Sequence, residues 1–409
     1  MPEKLKKGWS RVAFGDVVKQ VRDCVDPEKT GLERYVAGEH MDTDDLRIRR
    51  WGLIGDGYLG PAFHMRFKVG HVLYGSRRTY LRKVAVADFE GITANTTFVL
   101  ESKDPKLLLP ELLPFIMQTE SFHEHSIKQS KGSVNPYINF TDLKWYEFAL
   151  PPLEEQRRIA EVLRAGECHG QALSRLSAAC ATLRQSAIDC AFAGHLIDES
   201  VSAPRVMTEI GELPRPWSLQ PLAVVCSKIV DGVHKRPDYV REGVPFLTVE
   251  NLNRGSDIDF ADTRYVREDD HAEFSKRAQP QKGDVLVSKD GTLGVARVVE
   301  TEREFSIFVS VALLKPKRDR LDSWFLRYYF DSKLFKRRLA TKVSGSALKH
   351  IHLVDFRASL IPTPPLCEQE AIAAVLREVD RSHRRCLLGE AAAKGLRQAY
   401  LNHLMSKDV

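Results

Sequence analysis

No run of eighteen apolar residues occurs in this 409-residue sequence, so it offers no candidate for a membrane-spanning helix. The opening decapeptide, MPEKLKKGWS, lacks the apolar core of a signal peptide. Cysteines are few and scattered: Cys24, Cys168, Cys180, Cys190, Cys226, Cys367 and Cys386. Their number is odd and no two lie within four residues, which argues against a disulfide framework and a local zinc knuckle. A reduced, cytoplasmic protein with no membrane partner is the economical reading. Phosphate-binding signatures are missing too. GLIGDGYLG (52–60) is glycine-dense, but no Gly-Lys-Ser/Thr follows, and a flexible loop is the better reading. Pro237-Asp238 would need an acid-x-Lys nearby to open a nuclease motif, and the next is Asp331-Ser332-Lys333.

What the sequence does contain is itself, twice. PPLEEQRRIAEVL begins at Pro151 and PPLCEQEAIAAVL at Pro364, 213 residues apart. The same offset aligns Gly70-His71-Val72-Leu73 with Gly283-Asp284-Val285-Leu286, Phe122 with Phe335, and Gly132-Ser133 with Gly345-Ser346. It also aligns Ile138 with Ile351, Asp142 with Asp355, and Leu183-Arg184-Gln185 with Leu396-Arg397-Gln398. A gapless register of this length marks two copies of one unit. Trp9 and Trp217 are 208 apart, so the length differences lie early in each copy.

Each copy reads as a globular part followed by a helix. Proline suits a first helical turn, and Glu154 and Glu155 favour its positive end. Residues 153–193 then contain no proline. Ile159, Val162, Leu173, Leu176, Cys180, Leu183, Ala187 and Cys190 follow three- and four-residue steps, interrupted by Gly166 and His169. The second copy offers Ile372, Val375, Val379, Cys386, Ala393, Leu396 and Tyr400. The pattern predicts two helices of about forty residues, each roughly 60 Å long. Neither buries its seam alone, so they are expected to pair. In the globular parts, FLTVENL (246–252) and GDVLVS (283–288) read as strands. WFLRYYFDSKLFKRRLA (324–340) reads as a helix with a basic face, and MTEIGELPRPWS as a linker ending near Trp217. The fold class is therefore α+β. The expected divisions are 1–150 globular, 151–195 helix, 196–363 globular and 364–409 helix.

This combination resembles the specificity subunit of a Type I restriction-modification system. Further phrases that carry the resemblance are GHVLYGSRRTYLRKVAVADFEGI (70–92), DGVHKRPDYVREGVPFLTVENL (231–252) and LRQSAIDCAFAGHL (183–196). It implies two tandem target recognition domains, each reading one half of a split site in double-stranded DNA. The helices, antiparallel and related by a pseudo-two-fold axis, would set the spacing. They would also dock modification (methyltransferase) subunits, two of them, with restriction (motor-nuclease) subunits joining in the full complex. S-adenosylmethionine is then expected on the methyltransferase partner, with no cofactor here.

The net charge of +6 is compatible with a polyanionic partner. A DNA reader needs cations for phosphates and forked or amide side chains for base edges. The first copy offers Arg47, Arg49 and Arg50 beside Trp51, then Arg77, Arg78, Tyr80, Arg82 and Lys83. It also offers Lys128, Gln129, Ser130, Lys131 and Asn135. The second offers His234, Lys235, Arg236 and Lys289, then Lys342, Ser344, Lys349 and His350. The stretches near 128–135 and 342–350 occupy the same place in the repeat, which favours them. Asn135-Pro136-Tyr137 is similar to the Asn-Pro-Pro-Tyr loop of adenine methyltransferases. It lacks the second proline, follows no glycine-rich cofactor motif, and becomes Leu348-Lys349-His350 in the other copy, so it reads as a turn. His123-x-His125 reads as surface rather than as a ligand pair. No catalytic constellation or metal site emerges. Two other readings stay open: a self-contained DNA methyltransferase and a duplicated coiled-coil adaptor.

Overall fold

Val72–Gly75 and Val285–Ser288 form the same central strand in the two repeats. Gly70 and Gly283, each at φ +88°, sit in the turn that leads into it. A side chain disfavours that left-handed backbone. Along the first strand, Val72 and Tyr74 point into one buried cluster and Leu73 into another. Along the second, Val285 and Val287 take one cluster and Leu286 the other. Successive side chains alternate between faces, so a strand with apolar matter on both sides must read as a continuous apolar run.

The computed structural model describes residues 5–343 and 350–405. Its mixed helices and strands divide into two units: Met1–Ser174 with Gly389–Val409, and Arg175–Leu388. In the first unit an antiparallel sheet runs Val18–Val21, Thr97–Ser102, Val72–Gly75, Val84–Val86. The matching sheet of the second unit runs Cys226–Asp231, Val311–Pro316, Val285–Ser288, Ala296–Val298. Each unit adds another sheet containing one parallel pairing, Arg34–Val36 on Gly91–Ala94 in the first and Val244–Leu247 on Ser306–Ile307 in the second.

Leu153–Phe192 and Leu366–Met405 are the long helices, 40 residues each. Their shared opening phrase has a specific structural use. Gln156 and Gln369 are buried to 1% and 0% exposure. The Gln156 amide donates to the Leu107 and Pro151 carbonyls and its side-chain oxygen accepts from the Leu109 N–H, all at 2.9 Å. Gln369 repeats the set at 2.9 Å with Arg320, Pro364 and Asp322. A buried amide making three hydrogen bonds ties residues 107–109, and 320–322 in the second repeat, to the start of each long helix.

The repeated Leu-Arg-Gln phrase near each helix end does something different: it completes the other repeat. In the second unit Arg184, from the first long helix, reaches Asp331 at 2.6 Å and also Asp380 on the second long helix. Gln185 donates to the Asp331 carbonyl at 3.2 Å. In the first unit Arg397, from the second long helix, meets Glu167 at 3.0 Å and Gln118 at 3.1 Å, and Gln398 donates to the Gln118 carbonyl at 3.2 Å. The offset of 213 carries Arg184 onto Arg397, Gln118 onto Asp331 and Glu167 onto Asp380. Within each unit, rising numbers on one helix meet falling numbers on the other, so the segments run antiparallel. Burial opposes charging of Arg184, but the two carboxylates outweigh it and push its pKa up. Asp331 is also desolvated, yet Arg327 and Arg184 hold its carboxyl below the ordinary range.

Several expectations need correction. Ile159, Ile372 and Ala373 are buried, but Val162 and Val375 are each 41% exposed, and Leu183 and Leu396 are 62% and 73% exposed. The buried stripe shifts along each helix because the globular part covers a different face at each end. Ile159 and Leu163 pack with Leu401 in the first unit, and Ile188, Ala191 and Phe192 with Ile372 and Leu376 in the second. The stretch 324–340 is two helices, Ser323–Asp331 and Lys333–Val343, parted at Ser332. The Ser332 hydroxyl donates to Tyr329 O and accepts from Phe335 N–H, as Thr119 does with Ile116 O and Phe122 N–H. FLTVENL is a strand only to Leu247; Thr248 then caps a short helix, Val249–Asn253. The expected linker holds a hairpin, Arg205–Thr208 with Gly211–Pro214. His123 is not surface but 1% exposed.

Candidate nucleic-acid interface

In the first unit the chain after the central strand is stitched to the chain before the long helix. Arg77 forms a bridge with Tyr137, and Tyr137 forms another with Lys131. Ile138 N–H donates to Ser76 O at 2.9 Å, and Arg78 N–H to Pro136 O at 2.6 Å. Arg78 takes a left-handed conformation, φ +50°, and its Nε donates to Asn135 Oδ1 at 3.0 Å. These bonds gather Arg77, Arg78, Tyr80, Lys128, Lys131 and Asn135 on one exposed surface. Tyr80 and Tyr137 present their rings there, 52% and 43% exposed. Lys131 is engaged by Asp142 at 2.9 Å, whereas Arg77 and Lys128 have no ion-pair partner among the described residues.

Beside this surface lies a cleft of about 730 Å³. Arg22, Arg77 and Lys144 supply positive charge, and Gln20, Asn95 and Asn139 supply amides. No described residue lining it is acidic. Forked cations and amides in an open, acid-free cleft are the groups that read base edges and hold phosphates. Sequence reasoning missed Gln20, Arg22, Asn95 and Asn139. They come from a strand end and separate loops, and none sits in a local basic cluster.

The second unit repeats the stitching with other chemistry. Asp290 bridges His350, at the positions of Arg77 and Tyr137, and Ile351 N–H donates to Lys289 O at 2.9 Å. The His350 ring bonds the Asp290 carboxylate. Lys289 is buried, 4% exposed, and lies 3.5 Å from the equally buried Asp231. Burial opposes ionisation of Asp231, but hydrogen bonds from Arg277 and His234 and the charge of Lys289 prevail and lower its pKa. Lys289 thus holds a structural carboxylate, with no free head for a ligand. His234, Lys235 and Arg236 are exposed. Arg236 and Arg264 sit over the Tyr239 ring at 5.7 and 4.7 Å.

Not all the expected residues join these surfaces. Arg49 pairs with Asp45 at 2.7 Å and lines a pocket with Asp42, Glu167, Lys394 and Arg397, so it faces the helix pair of its unit. Arg47 is half-buried and bridges Val86. Ser344 and Lys349 lie outside the described residues. Lys342 belongs to the helix Lys333–Val343, and its side chain lies outside the described ones. No group of three or more His, Cys, Asp or Glu residues suited to a metal occurs among the described residues. Among them, too, no helix is long and apolar enough to cross a membrane.

Two alike units, each with an exposed cationic surface, define a duplicated binding protein, and its kinship is clear. The sequence profile of the Type I restriction modification DNA specificity domain matches residues 57–166 and 235–385, and the chain belongs to that family. Among curated relatives, the Type I restriction enzyme MjaVIII specificity subunit of Methanocaldococcus jannaschii is 23% identical over 393 residues, 92% of this chain and 87% of the relative. A chain solved in work on complex assembly and conformational transition of the type I R-M system is 25% identical, with both chains fully covered and a TM-score of 0.61. The Type-I restriction-modification system S subunit from M. genitalium shares the fold at 15% identity and TM-score 0.58, over 98% of each chain.

Proposed function

We propose that this chain is the DNA-reading specificity subunit of a Type I restriction-modification complex, each unit reading one half of a bipartite site. The observation that carries this reading is the acid-free cleft with the adjoining surface of Arg77, Arg78, Tyr80, Lys128 and Asn135. In the second unit, His234, Lys235, Arg236 and His350 occupy the corresponding role. Reading domains over 1–150 and 196–363 would alternate with spacer helices over 151–195 and 364–409. The reciprocal Arg184 and Arg397 contacts support a pseudo-two-fold relation between the halves. Methyltransferase subunits, two per chain, would dock on the helices, where Leu176, Leu183, Leu387, Leu388 and Leu396 leave apolar side chains exposed. Restriction subunits would join the full complex. S-adenosylmethionine would bind the methyltransferase, and this chain would act without catalysing transfer.

The test uses labelled S-adenosylmethionine, duplex DNA and the purified chain, with and without its methyltransferase. Transfer confined to the mixture, at a split motif with a fixed gap, is the expected result. Transfer by the chain alone would overturn the reading, as would an unsplit motif.

A further inference from the structure

The second unit contains a thiol pair that DNA reading does not use. Cys180 lies on the first long helix and Cys386 on the second, and their sulfurs are 3.4 Å apart. Both side chains are half-buried, and both belong to the same unit. The hydrogen bond between them holds the Cys180 thiol above the ordinary thiol range. The pair has no counterpart in the repeat: the matching positions carry Leu173 and Ala393. Cys168, Cys190 and Cys367 are exposed and have no sulfur neighbour among the described residues. One pair of sulfurs is thus held in mutual reach by two packed helices. A disulfide needs about 2.05 Å between sulfurs, and these sulfurs already touch across the two helices.

We propose that Cys180 and Cys386 form a reversible disulfide in the folded chain, a redox staple across the helix pair of the second unit. The oxidant is a peroxide. One sulfur, as thiolate, attacks a peroxide oxygen; an S–O bond forms, the O–O bond breaks, and the departing hydroxide takes a proton to become water. The second sulfur attacks the resulting sulfenic sulfur; the S–S bond forms, the S–O bond breaks, and the second thiol's proton leaves with the oxygen as water. Two thiols and one hydrogen peroxide give one disulfide and two waters, two electrons passing from sulfur to oxygen. A dithiol reverses the step by exchange. Arg184 lies four residues from Cys180 and Asp380 six from Cys386, so the bond closes over the charge cluster that already joins the helices. The residues proposed to read DNA are untouched by it.

The experiment exposes the full chain to hydrogen peroxide, blocks remaining thiols under denaturing conditions, and maps peptides without reduction. A linked peptide pair containing Cys180 and Cys386 is expected. So are faster migration on a non-reducing gel, reversal by dithiothreitol, and loss of the fast band in Cys180→Ser and in Cys386→Ser. The oxidised chain should melt at a higher temperature and bind duplex DNA within about twofold of the reduced chain. The urea-unfolded chain, oxidised alike, should show no preference for this pair. Oxidation of the exposed cysteines without the 180–386 peptide would overturn the proposal. So would a fast band that persists in either serine variant, or an unfolded chain with the same preference.

Discussion

Gln156 and Gln369 show how much one neutral side chain can hold. Replacing either with Ala strands one N–H and two carbonyls beneath a helix start, a loss of about 3 kcal/mol. Urea unfolding of the variants measures it, and Gln156→Glu should be no better, because a carboxylate cannot donate to Leu107 or Pro151. His123 is the residue with the clearest pH signature. Burial pulls its pKa down to about 4, and the charge of Arg82 adds to the effect. A depressed imidazole binds its proton more readily in the unfolded chain, so its contribution is complete above pH 6.5 and lost as pH falls towards 4. The loss approaches about 3 kcal/mol, and His123→Leu should flatten the stability slope in that window. In the cleft, Arg22→Ala and Arg77→Ala should each cost about 1–3 kcal/mol of binding and relax one base position if they meet bases. If they meet phosphates instead, the salt slope should fall by about one per variant. Asp290 occupies the place of Arg77, so the two units carry opposite charge at one backbone position.

The helices are legible in the sequence as elements, less so as surfaces. Proline openers, a proline-free run and the fixed register are enough to locate both. Their apolar steps, however, include Leu183 and Leu396, which face solvent. Periodicity reports that a helix has an apolar side; it does not say whether a partner helix, a globular core or another protein covers it. Leu183→Glu with Leu396→Glu should leave the melting temperature of the isolated chain within a degree or two. The same pair of changes should abolish assembly with the methyltransferase, read by size-exclusion chromatography. Basic clusters are legible in the same partial way. Arg78, Tyr80, Lys128 and Asn135 do converge, but Lys289 sits against buried Asp231 because strand alternation turns it inward. The cleft is illegible because Gln20, Arg22 and Asn95 meet only once strands far apart in sequence are laid side by side.

At the scale of the whole molecule, each unit borrows its last piece from the other repeat. Arg184 serves the second unit and Arg397 the first, with Asp331 standing where the first unit has Gln118 and Asp380 where it has Glu167. Breaking such a buried ionic cluster costs about 3–5 kcal/mol, so Arg184→Ala should unfold the second unit early while leaving the first unit's transition in place. Differential scanning calorimetry separates the two transitions.

The borrowing has a consequence for inheritance. A gene carrying PPLEEQRRIAEVL and PPLCEQEAIAAVL invites misaligned recombination between the two copies. A single unequal crossover there removes 213 of these 409 residues and leaves 196, with the first globular part fused to the second helix. That product keeps both Arg397 and Gln118, but its helix tail is built to complete a neighbour. Two such molecules can therefore exchange tails and rebuild the paired architecture as a homodimer. If each unit reads one half of a split target, the lineage would trade two different halves for a palindrome, without inventing a single new contact.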